Sequence, residues 1–120
     1  MNDITLLVTE NKLEIIKDTY TTGGSVDYDT CTFNFDTVWK YFYKTAVFMR
    51  ESSDAYRVEL VDNSCKIPAE CMRTEGILKI GLYGVNEDGV VITTNFVTHR
   101  IHEGVGEAGL WVEEDSAYND

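Results

Sequence analysis

Two histidines, His99 and His102, are the first residues to test for chemistry, because imidazole is a common metal ligand and acid–base group. They lie three positions apart in a stretch that alternates like a β-strand. Side chains three positions apart on a strand point to opposite faces, so this pair cannot converge on one ion. We therefore predict surface histidines at both positions, no metal site and no cofactor.

The three cysteines, Cys31, Cys65 and Cys71, could supply a nucleophile or a disulfide. A catalytic thiol needs a nearby base and a lowered pKa. Cys31 falls on the apolar phase of an alternating strand, where a buried and inert thiol is the expectation. Cys65 and Cys71 flank Pro68 and are expected to pack a short helix against the domain. An odd number of cysteines without zinc-type spacing predicts reduced thiols, although the spacing leaves a Cys65–Cys71 bridge open.

Carboxylates are abundant, and a pair of them could hydrolyse a glycoside. Asp27 and Asp29, for example, fall in one predicted loop, but a chain with 21 Asp+Glu produces such pairs by chance, and a solvated surface accounts for them. Gly81 and Gly84 lack the Lys-Ser/Thr that completes a phosphate loop. They are expected to permit a bulge or the close approach of another backbone. The sequence thus predicts no catalytic residues and a protein that is not an enzyme.

Strands must position these residues, because period-two alternation of apolar and polar side chains is the dominant pattern. It predicts about eight short strands, with turns at Thr9–Asn11, Thr22–Ser25 and Asn86–Gly89. This spacing is typical of an all-β fold, namely an immunoglobulin-like or jelly-roll-like β-sandwich. The predicted strands are Ile4–Thr9, Lys12–Lys17, Thr30–Asp36, Thr45–Met49 (a central strand), Tyr56–Leu60, Leu78–Tyr83, Val90–Thr94 and Phe96–His102.

Two segments favour short helical turns. In the first, Ile67–Gly76, Pro68 suits the first helical position and Gly76 the C-terminal cap. The second, Asp36–Tyr43, begins with a capping residue and holds four aromatic side chains. We expect these aromatics to form a corner over the open end of the sandwich, with Trp39 in the core.

Length and charge narrow the class of protein. The chain has 120 residues and a formal net charge of −11, which fits one domain and argues against a nucleic-acid or membrane-surface partner. We predict a single β-sandwich domain over residues 1–104 and an acidic extension over residues 105–120. No apolar run is long enough to span a membrane or to act as a signal peptide.

Aromatic side chains beyond the capacity of one small core are the remaining candidates for contact with a ligand or a partner. Trp and Tyr are favoured in protein interfaces and in sugar-binding platforms alike. The acidic extension also contains an apolar run that is able to dock, either on its own domain or on a neighbour. The candidate contact residues are Trp111, Tyr83, Tyr41, Tyr43 and Leu110.

Several packing motifs carry a resemblance to a known family: Phe33-x-Phe35-Asp36-x-x-Trp39, Lys44–Phe48, Cys65–Cys71, Gly76–Gly84 and Ile92–Asn95. Together they resemble phage and prophage structural proteins of gut Firmicutes, which are tail or baseplate components with an N-terminal β-domain. The resemblance covers roughly Thr30 to Gly104. It implies a virion protein that is synthesised in the cytoplasm of the host bacterium.

The resemblance therefore implies a non-enzymatic tail or baseplate protein. Its expected partners are copies of itself, in a homo-oligomer, or other phage tail proteins. The alternative is a carbohydrate-binding module that recognises a glycan of the bacterial surface, with Tyr41, Tyr43 or Tyr83 as the stacking platform.

Overall fold

The computed structural model describes residues 2–51 and 54–108, and they form two β-sheets packed face to face. This arrangement confirms the predicted all-β sandwich. No helix among the described residues has the length and apolarity that a bilayer crossing requires. The ten strands are β1 (Asn2–Thr9), β2 (Lys12–Lys17), β3 (Thr21–Thr22), β4 (Asp29–Phe35), β5 (Tyr43–Arg50), β6 (Tyr56–Glu59), β7 (Ser64–Lys66), β8 (Gly76–Val85), β9 (Val91–Thr93) and β10 (Val97–His102).

The four-stranded sheet has the order β2-β1-β4-β7, and the six-stranded sheet has the order β3-β10-β8-β5-β6 with β9 also paired to β8. β1 and β2 form a tight hairpin, in which Thr9 pairs with Lys12 and Glu10 adopts a left-handed φ of 49°. β4 then pairs in parallel with β1. The predicted central strand, β5, lies between β8 and β6, as expected.

One hydrophobic core fills the space between the sheets. Ile4, Leu6 and Val8 point into it from β1, because alternate residues of a strand share a face. Phe33 joins them from β4, and the second sheet contributes the following buried side chains: Ala46, Phe48, Leu78, Ile80, Leu82 and Ile101. Phe33, Leu78, Ile80 and Leu82 lie on the alternating apolar phases of the predicted strands, so alternation identified this part of the core.

The segment around Pro68 differs from its prediction. Its helical part is a single 3-10 turn, Ala69–Met72, and Pro68 precedes this turn instead of occupying its first position. Gly76 does not cap the turn but begins β8, with a φ of 139° that favours glycine. Two strands that the sequence did not predict, β3 and β7, span two and three residues. Such strands are too short to show an alternation.

The aromatic corner forms as predicted. The carboxylate of Asp36 accepts a hydrogen bond from Val38 N at 3.2 Å and caps a 3-10 turn over Thr37–Trp39. Trp39 is fully buried, and its indole N–H donates to Glu10 O at 2.9 Å. The centroid of its ring lies 5.4 Å from that of the Phe35 ring and 6.0 Å from that of the Phe42 ring. These contacts close one end of the sandwich.

Gly81 and Gly84 provide room for aromatic side chains and not for another backbone. A Cβ at Gly81 would lie 2.9 Å from the Phe96 ring, and a Cβ at Gly84 would lie 2.9 Å from Trp39. The prediction that these glycines permit a close approach is confirmed. The prediction that the approaching group is another backbone is wrong, because aromatic side chains approach instead. Both glycines are in β8, where a side chain would displace a packed ring.

Candidate functional site

The outer face of the six-stranded sheet is the most distinctive surface of the described residues. Register places its outward side chains in rows across β5, β8 and β9: one row is Tyr43, Val85 and Val91, and the next is Thr45, Tyr83 and Thr93. The next row holds Val47 opposite Gly81, whose outer side is covered by the Phe96 ring. We call this surface the outer apolar face and define it by Tyr43, Val47, Met49, Tyr83, Val85, Val91 and Phe96.

Its side chains remain accessible to solvent. Tyr43 is 63%, Val91 59% and Phe96 48% exposed, and the other four are half-buried. A cluster of large apolar groups at the surface of a domain is a mark of an interaction site. Charged residues of both signs surround it: Arg57, Lys79, Arg100 and Glu59 point outward from the same sheet, and Glu87 and Asp88 lie beside Tyr43. Three of these six charges are cationic, in a chain of net charge −11.

The outer face of the four-stranded sheet has the opposite character. Asp3 lies near the start of β1 and accepts hydrogen bonds from the hydroxyls of Thr30 and Thr32 at 2.7 and 2.9 Å. Glu14 and Asn34 point outward from neighbouring strands. These polar groups suit contact with water, so the two outer faces of the sandwich are not equivalent.

Of the predicted contact residues, Tyr43 and Tyr83 lie on the outer apolar face, in adjacent rows. Tyr41 is 78% exposed and lies in the turn before β5. Tyr41 and Tyr43 together line a shallow depression of about 540 Å³, whose other lining residues are Lys40, Phe42, Asn86, Glu87 and Asp88. The structure thus brings the three tyrosines to one end of the molecule. Leu110 and Trp111 lie outside the described residues.

The prediction for His99 was wrong, because this side chain is only 1% exposed. Its Nδ1 lies 2.7 Å from a carboxylate oxygen of Asp18, and its Nε2 lies 2.7 Å from the hydroxyl of Thr21. The signal was present in the sequence, since Val97, His99 and Ile101 occupy the same phase of β10. His102 points the other way, as predicted, and its ring stacks on Tyr20 at 4.0 Å.

The order Asp18–His99–Thr21 has the connectivity of a catalytic triad, in which an acid orients a histidine and the histidine activates a hydroxyl. Thr21, however, is fully buried, so its hydroxyl is closed to a substrate. It donates instead to the carboxylate of Asp29 at 3.2 Å. The cluster therefore connects β3 and β4 with β10 from inside the sandwich, which is a structural role.

Asp29 also corrects a prediction, because it lies inside β4 and is 1% exposed, not solvated in a loop. One carboxylate oxygen accepts hydrogen bonds from Asn2 and Thr21. The other has no hydrogen-bond partner among the described residues. The His, Cys, Asp and Glu side chains of the described ranges form no group of three that could hold a metal ion.

Cys31 and Cys65 lie directly opposite each other on β4 and β7. Cys31 is buried, as predicted, and burial raises its pKa well above the usual 9.0. Burial also raises the pKa of Cys65 to about 12 and that of Cys71 to about 11. A protonated thiol is a poor nucleophile, so none of the three has the environment of a catalytic cysteine.

Sequence reasoning missed most of the outer apolar face, since it treated Val47 and Val91 only as parts of strands and ended the predicted strand at Tyr83, before Val85. The available signal was the second phase of those strands: residues that alternate with the core positions were apolar where a solvated face would carry charge. Such a face can bind a partner by excluding water. Compared with protein-family models and with curated proteins, the sequence matches none.

Proposed function

We propose that this protein is a non-enzymatic structural component of a phage tail or baseplate, and that copies of it pack together through the outer apolar face. The main observation that supports this contact is a group of seven neighbouring apolar side chains on one face of the sandwich. The assignment to a virion rests on the family resemblance of the packing motifs. The net charge of −11 favours solubility in the host cytoplasm before assembly.

The size of the face supports a weak, reversible contact. The three strands that form it (β5, β8 and β9) and the eight residues of β5 span roughly 14 Å by 26 Å at the usual strand spacing and rise. This patch of roughly 370 Å² is smaller than the roughly 800 Å² per partner of a standard interface. We therefore expect association that depends on protein concentration, as suits a component that assembles only at high local density.

The charge pattern supports a second copy as the partner. Arg57, Lys79 and Arg100 rim the face, whereas the chain as a whole is strongly acidic. These three cations favour an acidic surface on the approaching molecule, and another copy of this chain provides one. A contact between two different surfaces is heterologous and closes into a ring when the rotation between copies permits.

Val91→Asp is expected to abolish self-association, because it places a charge at the β9 end of the row of Tyr43, Val85 and Val91, which the contact would desolvate. Light scattering after size-exclusion chromatography, over a range of protein concentrations, measures the effect. The wild type should show a mass that rises with concentration, and the variant should remain monomeric.

The matched control is Ile16→Asp, which changes a residue of similar exposure (53%) on β2 of the other sheet. This variant should associate like the wild type. A wild type that remains monomeric at every concentration would contradict docking between copies, and so would equal losses in both variants.

The depression beside Tyr41 and Tyr43 favours a second candidate function, the recognition of a bacterial surface glycan. Aromatic rings next to the carboxylates of Glu87 and Asp88 are a typical combination for stacking on a sugar and accepting hydrogen bonds from its hydroxyls. Both tyrosines are accessible, at 78% and 63% exposure.

Titration with cell-wall polysaccharide of the host decides between the two functions. The structural role predicts no saturable binding, and the glycan role predicts saturation that Tyr41→Ala removes. Tyr28→Ala is the control, because Tyr28 is exposed to 53% but lies outside this depression. Saturable binding that is lost only in Tyr41→Ala would favour the glycan function over the structural one.

A further inference from the structure

An open cleft of about 810 Å³ lies between the loop after β3 and the 3-10 turn after β10. Apolar side chains line much of it, and three of them are largely exposed: Val26 at 62%, Tyr28 at 53% and Val105 at 79%. Arg73, also exposed, is the cation of its lining. Exposed apolar side chains around a concave surface favour an apolar occupant.

Backbone hydrogen bonds of Gly23 and Gly24 bring the walls of the cleft close together. Gly23 N donates to His102 O and Gly24 N donates to Met72 O, both at 2.8 Å. Gly24 has a φ of 92°, and a Cβ on it would lie 2.8 Å from Gly106. The two walls therefore meet backbone to backbone. The cleft is a built feature of the fold and not a gap between loose loops.

The Glu107 carboxylate holds the 3-10 turn Val105–Ala108 against the neighbouring backbone. It accepts hydrogen bonds from Glu75 N at 3.0 Å and from Gly104 N at 2.8 Å. Val105, Gly106 and Glu107 themselves line the cleft. The described part of the chain therefore ends beside the cleft, at Ala108.

We infer that the cleft binds the apolar run Leu110–Val112 of the same chain, with the Trp111 side chain seated between Val26, Tyr28 and Val105. Trp111 is three residues beyond Ala108, so it can reach at most about 11 Å from the end of the turn, a distance that fits the cleft beside it. The acidic run Glu113–Asp115 follows at once and complements Arg73. This contact uses a surface separate from the outer apolar face and stands or falls independently of the proposed function.

The test is ¹⁹F NMR of the full chain labelled with 5-fluorotryptophan, which gives one resonance for Trp39 and one for Trp111. Trp111→Phe assigns the two. The Trp111 resonance should differ from its position in urea and should return towards it in Val105→Asp, which places a charge in the cleft. Val61→Asp is the matched control, because Val61 is 73% exposed and lies outside the cleft lining.

A Trp111 resonance at its unfolded position in the native chain would overturn the inference, as would a resonance that Val61→Asp shifts as much as Val105→Asp. A dilution series shows whether the apolar run in the cleft belongs to the same chain or to another copy. Shifts that persist on dilution support docking within one chain, whereas shifts that fade on dilution would overturn it in favour of exchange between copies. In buffer without urea, the Trp39 resonance should be the same in every variant other than Trp111→Phe and in the wild type, which reports that each variant is folded.

Discussion

Trp39→Ala is expected to lower the free energy of unfolding by about 3–5 kcal/mol, the cost usual for truncating a buried aromatic side chain. Trp39 is fully buried and contacts Phe35 and Phe42. The substitution also leaves the carbonyl of Glu10 without the indole donor at 2.9 Å, which adds to the loss. Urea unfolding followed by circular dichroism measures the change.

The neighbouring residue provides the control. Val38 belongs to the same turn but is 44% exposed, so Val38→Ala should cost less than about 1 kcal/mol. Where Trp39→Ala does not fold, Trp39→Phe keeps an aromatic ring and should retain a measurable part of the stability. A Trp39→Ala chain that is as stable as Val38→Ala would contradict the assignment of this corner to the core.

Much of the sandwich followed from alternation, because a strand with one buried face repeats every two residues. Ile4, Leu6 and Val8 show this directly, and so do Leu78, Ile80 and Leu82. Alternation did not predict the short strands. β3, for example, has only two residues and owes its position to pairing with Ile101 and His102. Such pairing is a contact between distant parts of the chain, and no local pattern encodes it.

The candidate site was predictable only in part. Tyr41, Tyr43 and Tyr83 were identified because exposed tyrosine favours contacts, and the structure places them at one end of the molecule. The outer apolar face needed the register of β5, β8 and β9, which brings Val85 and Val91 beside Tyr43.

His99 was placed wrongly for a different reason. A histidine is usually expected in water, and only its partners Asp18 and Thr21 explain how this one is buried. Both partners lie about 80 residues away in the sequence. The same limit applies to Asp29, whose burial depends on Asn2 and Thr21.

Stability is expected to fall steeply in alkaline solution, because folding suppresses the ionisation of thiols. Burial raises the pKa of Cys65 to about 12. Burial also raises the pKa of Cys31, and the nearby charges of Cys65 and Asp3 raise it further. In the unfolded chain each thiol ionises near its ordinary value of 9.0, so above that pH the unfolded state has released protons that the folded state still binds.

The sign follows from linkage: a state that binds fewer protons gains stability as pH rises, and here it is the unfolded state. The contribution of these thiols is fully present below pH 9.0 and is lost as the pH rises towards the raised values in the folded state. The expected loss is about 1.4 kcal/mol per pH unit for each thiol. Urea unfolding in buffers between pH 8 and pH 11 (roughly the window that linkage defines) measures this slope.

Cys65→Ala isolates the contribution of one thiol from that of every other group that titrates in this range. Because the variant lacks one ionising group, its stability should fall with pH less steeply than that of the wild type, by about 1.4 kcal/mol per pH unit. The comparison uses slopes, so a change in overall stability caused by the substitution does not affect it. Identical slopes in the two proteins would show that Cys65 ionises as readily in the folded chain as in the unfolded one, and the β4–β7 edge could not then be closed to water.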